Sequence, residues 1–206
     1  EEVSRLLPEA VERQMVSDVP VAAFLSGGLD SSLVVALMSR ASASRVQTFS
    51  VGFEGAESGE NELPIAREVA RHFGTDHQEL TIRPGEYWRY LRKSAFDLEE
   101  PNGTSATLAQ YFISRLAAMN VKVALSGQGA DELFGGYRHW LAALRLRRFA
   151  WPAFSALPGW ARTLSLRAAT PLLDELRLEY LRRGAAGEEL FWGGAIAFGE
   201  GSKRSL

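Results

Sequence analysis

Apolar and polar positions change period repeatedly along the first 126 residues. Val21-Ala22-Ala23-Phe24-Leu25 is a continuous apolar run ending at Ser26-Gly27-Gly28, the pattern of a strand buried on both faces and broken by a glycine turn. From Asp30, the segment Ser31-Ser32-Leu33-Val34-Val35-Ala36-Leu37-Met38 spaces its apolar residues as a helix does, with Asp30 or Ser31 placed to cap the first turn. Val46 to Phe53 predicts a second strand, and 62–73 predicts a helix that Gly74 stops. A shorter strand over 77–82, helices over 86–96 and 107–119, and a further buried strand over 121–126 complete the alternation. Strand and helix in turn predict an α/β fold: an open parallel sheet with helices on both faces, which binds ligands beyond the carboxyl ends of its strands.

After Tyr137 the texture becomes helical and arginine-rich, with Arg138, Arg145, Arg147 and Arg148, and Pro152, Pro158 and Pro171 punctuate the pieces that follow. Asp174, Glu175 and Glu179 interleave with the later arginines, which predicts a solvated or subunit-facing helical part rather than a nucleic-acid surface. No internal repeat is present.

Composition narrows the classes. The 206 residues contain 46% hydrophobic and 23% charged residues, the balance of an ordinary globular domain. Twenty-three basic against 25 acidic residues give a net charge of -2, too little field for gripping nucleic acid or an anionic membrane. With no cysteine and with His72, His77 and His139 scattered, a cysteine nucleophile and a cysteine or histidine metal motif are excluded, so a catalytic metal must be held by oxygen. No apolar run approaches the ~20 residues that span a bilayer. The opening residues resemble no secretory signal, so a cytoplasmic location is expected.

Two segments carry candidate chemistry. In Ser26-Gly27-Gly28-Leu29-Asp30-Ser31-Ser32 the glycines permit close backbone approach, and the free amides of the first helical turn favour a phosphate. Asp30 would repel a bare phosphate there, and makes sense with a magnesium ion between carboxylate and phosphate. A glycine turn with Asp30 as a simple cap is the plainer alternative, outweighed by the serines and the strand and helix around the loop. Neither a Walker loop, which needs a lysine, nor a dinucleotide fingerprint fits: Gly127-x-Gly129 meets Glu132 where a third glycine should stand. The second segment, Leu125 to Tyr137, again follows a buried strand. Its Asp131 and Glu132 read either as a helix-start charge pair or as a carboxylate source sharing magnesium with Asp30 if the two strand ends are neighbours.

Ser26-Gly27-Gly28-Leu29-Asp30-Ser31-Ser32 resembles the pyrophosphate loop of the glutamine-dependent asparagine synthetases, in their carboxy-terminal synthetase domain, within the PP-loop ATP pyrophosphatases. Ser126-Gly127-Gln128-Gly129-Ala130-Asp131-Glu132-Leu133-Phe134-Gly135-Gly136-Tyr137 is similar to that family's second signature. Thr48 to Phe53, Glu100-Pro101 and Ser114 to Ala117 resemble intervening segments, and the likeness covers roughly residues 10 to 140. It implies a Rossmann-like, adenine nucleotide alpha hydrolase-like sheet followed by a helical C-terminal part. Residues 1–140 form the expected ATP-binding synthetase domain and 141–206 its truncated helical extension, with the amino-terminal glutaminase domain absent.

By the same resemblance Phe24, Ser26, Gly27, Gly28, Asp30, Ser31, Ser32, Val51, Ser126 and Gly127 bind ATP, Asp30 and Asp131 ligate Mg2+, and Asp30, Asp131 and Gln128 are catalytic. Glu100, Gln128 and Glu132 are the expected substrate contacts. The implied reaction is attack of an aspartate side-chain carboxylate on the α-phosphorus, releasing pyrophosphate, followed by amidation of the acyl adenylate with ammonia. The partners so implied are ATP, aspartate or another carboxylate, ammonia and a glutaminase domain, with room for a homodimer and none for nucleic acid or membrane. Three departures stand against the family pattern. Gln128 occupies a position that is often acidic, Asn102-Gly103-Thr104 follows the acidic-Pro pair, and Lys203 is the only late lysine and lacks the motif that surrounds the lysine the family uses late in its chain. A related synthetase acting on another carboxylate, of β-lactam or peptide-modifying type, and a silent ATP-binding fragment are the alternatives.

Overall fold

The computed structural model describes residues 2–56, 61–97, 105–170, 172–173 and 175–188. They fall into two compact units, Glu1–Gln128 and Gly129–Leu206.

The first unit is built on a four-stranded, all-parallel sheet of β1 (Val21–Phe24), β2 (Gln47–Phe53), β3 (Asp76–Ile82) and β4 (Val123–Leu125), in the order β3-β2-β1-β4. Between the strands run α2 (Leu29–Ala41), α3 (Leu63–Phe73), α4 (Pro84–Asp97) and α5 (Ser105–Ala117), after an opening helix α1 (Glu2–Gln14). This is the predicted open sheet. Strand alternation sorts its side chains onto two faces. Ala23 and Leu25 pack with Val35 and Met38 of α2, Ala66 and Ala70 of α3 and Val11 of α1. Ala22 and Phe49 pack on the other face with Ile113, Leu116 and Ala117 of α5. Helices therefore cover both faces.

The sequence reading left α1 out, although Val3, Leu6, Leu7, Ala10 and Val11 recur at helical spacing. A second difference concerns β4, which is shorter than the expected 121–126 and is not fully buried. It lies at the edge of the described sheet, with Val123 36% exposed. Gly74 stops α3 as expected, in a left-handed conformation with its amide bonded back into the last turn.

The order β3-β2-β1-β4 places the later strand β4 on the far side of β1 from β2. The chain thus turns one way after β1 and the other after β3, which makes the carboxyl edge between β1 and β4 the switch point where open α/β sheets bind ligands.

The second unit is helical. It comprises α6 (Ala130–Phe134), α7 (Arg138–Arg145), a π-helical segment (Leu146–Ala150), α8 (Trp151–Ser155), α9 (Gly159–Ala169) and α10 (Glu175–Ala186). Ala143 and Tyr180 form its small core with Leu146 and Trp151. The interleaved charges pair within α10, where Arg182 reaches buried Glu179 at 2.9 Å and Arg183 reaches it at 3.4 Å. Asp174 lies outside the described residues. No helix among those described is long and apolar enough to cross a membrane.

Candidate nucleotide site

β1 and β4 are direct neighbours, paired Val21↔Val123, Ala22↔Ala124 and Ala23↔Leu125. The turns that follow them, 26–28 and 126–128, therefore leave the sheet side by side. Gly27 has φ +83°, a conformation other residues rarely adopt, and a Cβ there would stand 2.8 Å from the backbone nitrogen of Ala66 in α3. The loop is thus pressed against α3, and its glycine permits the approach.

The helix that follows is open at its amino end. Gly28 is the residue before α2, and no side chain caps the first turn. Neither Asp30 nor Ser31 makes the expected cap, which removes the plainer explanation of Asp30. A 13-residue helix with an uncapped first turn, entered from a glycine turn at the switch point, leaves amides and the positive dipole end for an anion.

Of the three loop serines that the resemblance assigns to ATP, two are bonded within the loop itself. Ser31 is 7% exposed. Its Oγ accepts from the amide of Ser26 at 3.2 Å, lies 2.9 Å from Ser26 Oγ and donates to the carbonyl oxygen of Gly28 at 3.3 Å. Ser26 Oγ in turn accepts from the amide of Gly28 at 3.2 Å. Ser26 and Ser31 thereby fix the loop from inside. Ser32 Oγ is buried without a hydrogen-bond partner among the described residues.

On the β4 side, a Cβ on Gly127 would lie 2.7 Å from the Ser31 nitrogen and 3.0 Å from Asp30 Cβ. Ser126 and Gln128 are exposed next to it. Phe24 and Val51 are partly buried against the α5 face of the sheet. β1 pairs with β2 only at Ala23↔Thr48 and Phe24↔Phe49, so β2 runs on past the end of β1 to Val51 and beyond.

Asp131 and Glu132 belong to the second unit, on the short helix α6 between Gly129 and Gly135, both in the left-handed conformation. Glu132 is not a free carboxylate: it accepts a 2.5 Å hydrogen bond from Tyr137. That bond holds the Glu132 carboxyl below its ordinary range and pushes the Tyr137 phenol up to about 12. Glu100, the other expected substrate residue, lies outside the described residues.

A metal must be met by oxygen here, and no group of three or more acidic or histidine side chains gathers among the described residues. Magnesium at phosphates takes one or two carboxylates and fills its shell with phosphate oxygens and water. The Asp30 carboxylate, on the first turn of α2 beside the loop amides, fits that mode.

The sequence model of the family described as asparagine synthase matches residues 2–198. The chain belongs to the asparagine synthase family. It is 36% identical to the glutamine-hydrolysing asparagine synthetase 1 of Bacillus subtilis over 207 residues, covering 100% of this chain and 32% of that protein. It is 36% identical to asparagine synthetase B of Escherichia coli over 152 residues, covering 66% of this chain and 27% of that protein. The chain thus spans about a third of the length of such relatives. Among solved structures, the NMN synthetase of Francisella tularensis superposes with a TM-score of 0.48 at 17% identity, covering 66% of this chain and 57% of that chain, a likeness too slight to add to the family assignment.

Proposed function

We propose that this chain is the ATP-binding synthetase portion of a glutamine-dependent asparagine synthetase, with residues 1–140 as the synthetase domain and 141–206 as its helical extension. The observation that carries the reading is the side-chain-uncapped amino end of α2, entered through Gly27-Gly28 and backed by Gly127 at the switch point of the sheet.

In this reading the pyrophosphate portion of ATP rests on the loop, accepting from the amides of the first turn of α2 and from Ser32 Oγ. Ser26 and Ser31 keep those amides in place. Phe24 and Val51 line the nucleotide at the end of β1 and the overrunning part of β2, and Ser126 and Gly127 bound it from the other strand. Magnesium, when bound, neutralises the phosphate oxygens and the leaving pyrophosphate. Asp30 is its ligand from the loop, and the family resemblance adds Asp131.

The reaction so served joins a carboxylate oxygen of aspartate to the α-phosphorus and breaks its bond to the bridging oxygen, so that pyrophosphate leaves. Ammonia then displaces AMP from the acyl carbon to give asparagine. The chain contributes positioning and charge stabilisation, the two effects that dominate such transfers. Gln128 carries no general-base capacity and orients the substrate by hydrogen bonds instead. The ammonia comes from a glutaminase domain of the kind that its glutamine-hydrolysing relatives imply.

Incubation with Mg-ATP, aspartate and ammonium tests this reading. Pyrophosphate and AMP in equal amounts, formed only with the carboxylate present and lost in Asp30→Ala, are expected. ADP and phosphate, or turnover that survives Asp30→Ala, would overturn it.

A further inference from the structure

The carbonyl of Leu25 is the first backbone acceptor of the loop to lose its strand partner. The amide of Leu25 still donates to the carbonyl of Phe49 at 2.9 Å, whereas the paired register of β1 and β2 ends at Phe24↔Phe49. Leu25 is 1% exposed, so water does not serve that carbonyl, and an unmet buried acceptor costs about as much as a lost hydrogen bond. Ser50 of β2 meets it: its Oγ donates to the Leu25 carbonyl oxygen. Ser50 is itself 2% exposed. A hydroxyl so buried is costly unless bonded, and this bond extends the β1–β2 ladder by one step through a side chain.

From that point the hydrogen bonds run on without a gap. The next residue, Ser26, donates its amide to Ser31 Oγ, and Ser26 Oγ accepts from the amide of Gly28, the residue that opens α2. Two residues beyond Ser50, a Cβ on Gly52 would meet Leu63 of α3 at 2.6 Å, and that same helix closes on Gly27 through Ile65 and Ala66. β2 therefore holds the loop twice, by the Ser50 hydrogen bond and through its seat for α3.

We propose that Ser50 is a positioning residue for the anion-binding loop: its hydroxyl fixes the Leu25 carbonyl and, through it, the direction in which Ser26 to Gly28 present the amino end of α2. It touches no substrate. The ligand part of this inference rests on the reading of the loop as the seat of ATP, and the loop-fixing part does not.

The test separates the two. Amide hydrogen exchange of the 206-residue chain without ligand is compared for wild type, Ser50→Ala and Ser50→Cys, the last keeping the volume with a weaker donor should the alanine variant fail to fold. Exchange at the amides of Ser26 and Gly28 is expected to speed up about tenfold in Ser50→Ala and by less in Ser50→Cys, with the amide of Glu54, which donates to the carbonyl of Ile82 in β3, unchanged. Ser50→Thr, which keeps the hydroxyl, is expected to restore slow exchange. A uniform rise across the sheet, or no rise at the loop, would overturn the proposal. Equilibrium binding of Mg-ATP to the same variants forms the second arm, with Ser50→Ala several-fold weaker than wild type. If wild type binds and Ser50→Ala binds equally well, the positioning role fails. If wild type does not bind while the exchange result holds, the ATP reading fails and the loop anchor stands.

Discussion

A Cβ on Gly127 would lie 2.7 Å from the backbone nitrogen of Ser31, closer than carbon and nitrogen can stand without bonding. Two turns from adjacent parallel strands, about a hundred residues apart in sequence, are held in contact at a point that admits no side chain. Gly127→Ala must push the β4 turn away from the first turn of α2. It is expected to weaken Mg-ATP binding at least about tenfold and to lower stability by ~1–3 kcal/mol, as overpacking does. Gly85→Ala is the control, because a Cβ there meets nothing within 4 Å. Calorimetric titration and thermal melts of both variants check this.

Asp30 separates charge from shape. Asp30→Asn keeps the volume and removes the negative charge, and it is expected to abolish the magnesium dependence of nucleotide binding while sparing the fold. The check is ATP titration with and without magnesium. Equal magnesium dependence in the variant would show that Asp30 is not a ligand.

Tyr137 and Glu132 make a prediction about protonation. The phenol donates to the carboxylate and stabilises its ionised form, so Tyr137→Phe is expected to raise the Glu132 pKa toward the ordinary carboxylate value. Carbon-detected NMR titration of the Glu132 carboxyl reads this directly. An unchanged titration would mean that the pair does not persist in solution.

Much of the fold was legible because the alternation of short apolar runs with helical periods is a local signal, and Val21 to Leu25 ending at Ser26-Gly27-Gly28 carried it plainly. The site was legible only as residue types. That Ser50 reaches Leu25 and that Gly127 abuts Ser31 depend on how β2 and β4 flank β1, which spacing along the chain does not encode. The expected cap from Asp30 or Ser31 failed for a related reason: the buried Ser31 hydroxyl is spent on Ser26 and Gly28. α1 was missed even though Val3, Leu6, Leu7, Ala10 and Val11 carry the helical period, and β4 was drawn too long because edge exposure is invisible in an apolar run.

His77 links stability to pH. Its Nδ1 lies 2.9 Å from Thr48 Oγ1, which also meets Thr75 at 2.8 Å, and its Nε2 lies 3.2 Å from Glu79, whose carboxylate Arg67 grips. Burial outweighs the attraction of Glu79 and pulls the imidazole below its ordinary 6.5. A depressed pKa means that folding favours the neutral ring, so its contribution is complete above 6.5 and is lost as pH falls through the folded value. Urea midpoints are expected to drop between pH 7.5 and 5, with a shallower drop in His77→Gln. Parallel profiles would contradict this.

The central claim, that the turn after β1 and the open end of α2 seat the phosphates of ATP, is tested most directly by titrating Mg-ATP into the nitrogen-15-labelled chain. The amides of Gly27, Gly28, Asp30, Ser31, Ser32 and Gly127 are expected to shift together and saturate, and the response is expected to weaken and lose its magnesium dependence in Asp30→Ala. Saturable shifts confined to other residues, or none at this loop, would contradict the account.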